Sequence, residues 1–216
     1  MNSSFPTKPL SPRQLWPLIL FTTAYLLAAL VGVVLMGNGE FVFYLVVMFV
    51  LLSVVIIIHQ RVHFSRIVLW GLSLWGALHM AGGLLPVPAN WPINGEIRVL
   101  YSLWLVPGYL KYDQLVHAFG FGVTTLVCWA GLQSILRPHL PPGAQLRPTL
   151  GMVMLCAAAA MGFGAMNEVV EFAATLLVPE TNVGGYSNTG WDLVANMVGA
   201  VSVATWLYLR GNPKRQ

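Results

Sequence analysis

Polar side chains with chemical potential recur in pairs at helical spacing in this otherwise apolar chain. Glu168 and Glu171 lie three apart in MNEVVEF (166–172). Asp113 and His117 lie four apart in YDQLVHAFG, as do Asp192 and Asn196 in WDLVAN, and His79 stands in LHMAGG. Spacings of three and four place each pair on one helix face. Carboxylates and imidazoles facing one another across a bundle are the donors from which helical proteins build metal and acid–base sites. The candidate catalytic carboxylates are therefore Glu168, Glu171 and Asp113, with Glu168 as general base to a bound water. The candidate metal ligands are His79, His117, Glu168 and Asp192, supported by Asn196 and Trp191. The cofactor would be a divalent metal; mixed imidazole and carboxylate ligation suits zinc, manganese or iron without choosing among them.

Each pair also has a plainer reading. Asp113 and Asp192 stand at expected helix starts, where capping accounts for a carboxylate. His79 suits a satisfied structural histidine, and any of the pairs could be interhelical hydrogen-bond glue. Glu168 and Glu171 have the least such cover, because a helix interior offers a carboxylate no local partner. His59, His63 and His139 fall in expected loops and receive no role.

The elements that must position these residues are membrane helices. The 216 residues are 57% hydrophobic and 8% charged, with a mean hydropathy of +0.72. Soluble domains carry about 25% charged residues. The expected class is an all-α, polytopic membrane bundle in a single domain, 1–216, of about six transmembrane helices plus a short interfacial segment. The spans are expected at 15–36, 40–58, 66–85, 112–136, 150–177 and 191–209, given that about 20 apolar residues cross a bilayer. The run from Leu15 is too long for a signal-peptide core and reads as a retained first span. Residues 86–111 carry four prolines, and Glu96–Val106 within them is expected to form a short helix along the interface. Cys128 and Cys156 read as small buried hydrophobes.

The net charge is +4 and the pI about 9.3, but the basic residues sit in short loops and tails. That pattern points to topology and not to nucleic acid, so membrane lipid is the expected partner and the oligomeric state is left open. One side receives Lys8, Arg13, Arg61, Arg66, Arg137, Arg147, Arg210, Lys214 and Arg215; the other receives Arg98 and Lys111. The positive-inside rule then puts both termini in the cytoplasm.

At 1.5 Å per residue, Glu168 and Glu171 lie about 28 and 33 Å along an outward-running fifth span, and His79 about 20 Å along the third. The fourth and sixth spans run inward, with Asp113 and Asp192 at their outer ends and His117 and Asn196 one turn deeper. Four spans thus deliver these residues to one layer near the outer face. That layer holds four of the seven carboxylates, Asp113, Glu168, Glu171 and Asp192. An ionised side chain deep in the membrane costs about 2.5–3.5 kcal/mol unless compensated, which favours a shared polar pocket.

YDQLVHAFGFG, NEVVEF and GYSNTGWDLVANMVGA resemble, in this order, the successive signatures of the YjdF-like family of bacterial inner-membrane proteins, a domain of unknown function. The same order is more distantly similar to the VanZ-like family associated with glycopeptide resistance. The likeness spans roughly residues 75–205 and includes LHMAGG. Where the family often carries an acidic residue ahead of its Trp-Asp pair, this chain has Ser187, Asn188 and Thr189. The resemblance implies a multi-pass fold in a bacterial inner membrane and leaves the chemistry open.

Three functions compete. The first is a membrane-embedded enzyme acting on a lipid or lipid-linked substrate at the outer face. The second is a small scaffold or accessory protein with a structural polar cluster. The third is a proton-coupled transporter, which the lack of a polar path toward the other face and of an inverted repeat disfavours.

Overall fold

The computed structural model describes residues 10–37, 39–141, 144 and 146–211; Lys8, Lys214 and Arg215 lie outside them. Six helices run α1 (Pro12–Met36), α2 (Gly39–Val62), α3 (Arg66–Leu84), α4 (Tyr112–Leu136), α5 (Leu150–Leu177) and α6 (Tyr186–Gly211). All six are long and apolar enough to cross a membrane, so the chain is a polytopic helical bundle.

The helix ends follow local chemistry. Ser65 Oγ accepts from the Val68 N–H at 3.4 Å to start α3, and Thr149 Oγ1 accepts from the Met152 N–H at 3.4 Å to start α5. Each satisfies one orphan donor of a first turn. Gly37, at φ 63°, ends α1 in the left-handed conformation that glycine adopts without strain.

Helix α4 is central and packs on α6, α5 and α3, while α1 packs mainly on α3. Trp75 meets Phe121 in an edge contact, with ring centroids 5.3 Å apart. A Cβ on Gly71 would lie 2.9 Å from Val123. These contacts run in opposite directions along α3 and α4, so the two are antiparallel. Trp129, Val153, Cys156, Ala160, Ala200 and Leu207 form one core among α4, α5 and α6. Leu26, Phe41, Tyr44, Met80 and Ala174 form a second, which seats α1 and α2 against the rest. Cys128 and Cys156 are free thiols, half-buried and buried. His59 is not in a loop: it lies in the last turn of α2.

The expected interfacial helix at Glu96–Val106 is not present. A 3-10 turn at Leu100–Ser102 leads into an antiparallel hairpin of β1 (Trp104–Val106) and β2 (Leu110–Lys111). Pro107 and Gly108, with Gly108 at φ 77°, fold the chain back on itself, and a tight turn of this kind competes with any helix running through it. The preceding stretch is held extended by isolated bridges, Pro86 with Val99 and Ile93 with Leu103. Arg98 clamps it, donating through Nη2 to the carbonyls of Pro88 at 2.6 Å and Trp91 at 2.7 Å.

Candidate functional site

His117 is the hub. It lies five residues into α4, at the end of the bundle where α4 and α6 begin and α5 ends. Its Nδ1 is 3.0 Å from Asn196 Oδ1 on α6. A carboxamide oxygen can only accept, so Nδ1 carries the proton and donates. That tautomer leaves Nε2 facing Asp113 Oδ1 at 3.6 Å and Glu171 Oε1 at 3.8 Å. Glu168 Oε1 lies 3.7 Å from Nδ1. His117, Glu168, Asp192 and Asn196 are each no more than 9% exposed. Two triads offer ligand atoms within 4.8 Å of one another: Asp113, His117 and Asp192, and His117, Glu168 and Glu171.

Small residues create the room. A Cβ on Gly164 would sit 2.6 Å from Asn196 Nδ2, so α5 carries glycine where α6 brings the carboxamide across. Gly199 lies against the backbone of Ala118, which lets α6 and α4 approach closely one turn below the hub. With α5 and α6 drawn in this far, their carboxylates reach the face of α4 that carries His117.

The cluster is unevenly satisfied. Glu171 Oε1 accepts from Asn167 Nδ2 at 2.9 Å. Asp192 Oδ2 accepts from Asn188 Nδ2 at 2.5 Å, and the same amide reaches Asp113 Oδ2 at 3.5 Å. The Lys111 ammonium donates to Asn188 Oδ1 and lies 3.5 Å from Asp113 Oδ2. By contrast, among the described residues neither oxygen of Glu168 has a hydrogen-bond partner, nor do Asp192 Oδ1 and Asn196 Nδ2.

The structure does not bring every expected residue inward. Trp191 is 56% exposed beside a fully buried Asp192, because neighbouring residues point about 100° apart on a helix. Its ring therefore stands away from the buried cluster. His79 stands outside both triads. Its Nδ1 is engaged by the Tyr101 hydroxyl. Burial pushes the Tyr101 phenol well above its ordinary range, with Asp113 and Glu171 adding to the effect, so the phenol keeps its proton. His79 does line a cavity of about 320 Å³ together with Glu40, Tyr44, Lys111, Asp113 and Glu171. Capping does not explain Asp192 either, because α6 begins at Tyr186 and Asp192 lies a turn and a half inside. Asp113, the second residue of α4, keeps that explanation beside its contact with His117.

Lys111, Asn188, Asn167 and Tyr101 are members the motif reading missed. Two of them carried a signal, since Asn167 precedes Glu171, and Asn188 precedes Asp192, by four residues.

Fold and site together define a polytopic helical membrane protein with a buried carboxylate–histidine cluster at one end of its bundle. The family described as "Predicted membrane protein (DUF2238)" matches residues 17–213, and the chain belongs to it. The YjdF-like resemblance is consistent with that membership, whereas the match carries nothing of the VanZ-like one. No curated protein and no solved structure matches the chain.

Proposed function

We propose that this protein is a membrane-embedded hydrolase using a divalent metal at the His117 cluster and acting on a lipid or lipid-linked ester. Glu168 carries the reading. Its side chain is nine-tenths buried, and among the described residues neither oxygen has a hydrogen bond; unless it holds a proton, a carboxylate so placed needs a cation close by. The donor set fits one. Nδ1–H of His117 is committed to Asn196, the second-shell bond that orients a ligating imidazole, and hard oxygens surround Nε2.

When bound, such a cation supplies Lewis acidity and lowers the pKa of a coordinated water. The chain's own residues do the rest. His117, Asp113 and Asp192 supply the ligand atoms, and Lys111 faces an anionic group entering past Asp113. Glu168, the carboxylate with no other commitment, takes the proton from the attacking water and returns it to the leaving alkoxide. Water adds across the ester or phosphoester bond, giving acid and alcohol. Arg13, Arg61, Arg66, Arg137, Arg147 and Arg210 lie at or beyond helix ends remote from the cluster. The positive-inside rule supports placing that end and both termini in the cytoplasm, with the site at the outer face of a bacterial inner membrane.

One observation favours the scaffold alternative. Asn188 and Lys111 already compensate Asp113 and Asp192 from within the chain. A charge path for proton coupling has no such support: between His117 and the far end of α4 no residue is charged, and α5 has no charged residue before Glu168.

Metal content and melting temperature of the detergent-purified protein decide between the first two. The hydrolase reading expects metal near one equivalent, a lower Tm after chelation, and loss of both metal and response in His117→Gln. A metal-free parent with no Tm response, joined to a loss of about 3–5 kcal/mol in Glu168→Gln, leaves the scaffold. Reporter fusions at Asn94 and Asn182 should score external and those at Arg61 and Arg147 cytoplasmic; the reverse pattern overturns the orientation.

A further inference from the structure

The end of the bundle opposite His117 holds a second cavity, of about 340 Å³, between the α2–α3 turn and the end of α4. Arg61 and Arg137 line it, with His63, Ser65, Gln133 and Ser134, and no carboxylate does. Neither arginine takes part in an ion pair among the described residues. The local fold builds the concavity. His63, at φ 54°, ends α2 with its N–H on the His59 carbonyl at 2.9 Å, and Ser65 starts α3 two residues later. That sharp reversal sets Arg61 and Ser65 on one wall. The other wall is the last turn of α4 and the 3-10 turn Arg137–His139, where Pro138 stops the helix from continuing.

We propose that this cavity binds a phosphate group, held between the guanidinium groups of Arg61 and Arg137. Guanidinium presents forked N–H donors that match phosphate oxygens and is never neutral at physiological pH. Gln133 and the two serine hydroxyls add neutral donors, and nothing in the wall repels an anion. The position, at helix ends that meet the membrane surface, suits a phospholipid headgroup; a free phosphate ion offers the same chemistry. The site is independent of the His117 cluster and stands whether or not that cluster holds a metal.

The test is the melting temperature of the purified full-length chain against two probes. One is inorganic phosphate, with sodium chloride at matched ionic strength as control. The other is phosphatidylglycerol against phosphatidylcholine in mixed micelles. Parent, Arg61→Gln and Arg137→Gln are compared with Arg147→Gln, which removes one charge at the same end but outside the cavity. The parent and Arg147→Gln should be stabilised, with apparent affinity at least roughly tenfold weaker in the two cavity variants. A response to both probes identifies the phosphate group as sufficient, and a response to phosphatidylglycerol alone identifies the lipid headgroup. The proposal is overturned if neither probe stabilises the parent. It is also overturned if Arg147→Gln loses as much as the cavity variants, since the effect is then diffuse charge.

Discussion

Helices α4–α6 and helices α1–α2 are both membrane helices, yet they are built on different rules. More than half of the most apolar stretch of α4 is buried, 56%, against 17% for α1 and for α2. The α4–α6 group meets through small residues, Ala160, Ala200, Gly164 and Gly199, and carries every member of the two ligand triads. The α1–α2 pair offers the bilayer broad surfaces of Leu, Val and Ile, such as Val34 and Leu35, with the hydroxyl bond between Thr22 and Ser73 helping to tie α1 to α3. Lipid tails are as apolar as leucine, so greasy surfaces give helices no reason to associate. Close packing and hydrogen bonds provide one, and both are concentrated where the charged residues are buried.

Three substitutions probe that contrast. The largest effect is expected at Gly199→Val, whose branched side chain would enter the space of the Ala118 backbone. Backbone cannot move aside as a side chain does, so a loss of more than about 3 kcal/mol and poor recovery of folded protein should follow. A variant that melts with the parent would show the α4–α6 crossing to be loose. An intermediate effect belongs to Asn196→Leu, which strips the acceptor from His117 Nδ1 and leaves a buried N–H unpaired, at about 1–3 kcal/mol. The imidazole tautomer should also change, which nitrogen-15 shifts of labelled histidine can read; an unchanged spectrum would deny Asn196 its orienting role. Val34→Ala, at a side chain 72% exposed, should shift stability by less than about 0.5 kcal/mol. A larger drop in detergent would mean that a second copy, and not lipid, covers that face.

The helices and the shared depth of the polar residues were legible because both depend on spacing along the chain. Hydrophobic run length set the spans, and intervals of four aligned Asp113 with His117 and Asp192 with Asn196, as an interval of three aligned Glu168 with Glu171. Rotation about the helix axis was not legible for Trp191, since an aromatic beside a buried aspartate looks like a pocket residue until phase is counted. The start of α6 was missed for a related reason. Ser187, Asn188 and Thr189 are polar and read as loop, yet they form the helix turn from which Asn188 reaches back to Lys111 and Asp113. The Tyr101 partner of His79 lay 22 residues away in a segment expected to be helical, and only the folded hairpin brings it there.

Asn182, in the connection after α5, joins three parts of the chain that are remote in sequence. Its backbone N–H donates to Glu40 Oε2 at 2.9 Å, across 142 residues, and its side-chain amide reaches Ser102 Oγ at 3.4 Å. Glu40 is in the first turn of α2, beside Phe41, Tyr44 and Leu45, the buried residues of a helix that is otherwise largely exposed. The rim of the cavity that His79 lines is therefore fastened to the best-packed stretch of α2. Movement of this rim is then tied to opening of the packed turn Gly39–Tyr44, and amide hydrogen exchange at Asn182 should follow that of the start of α2.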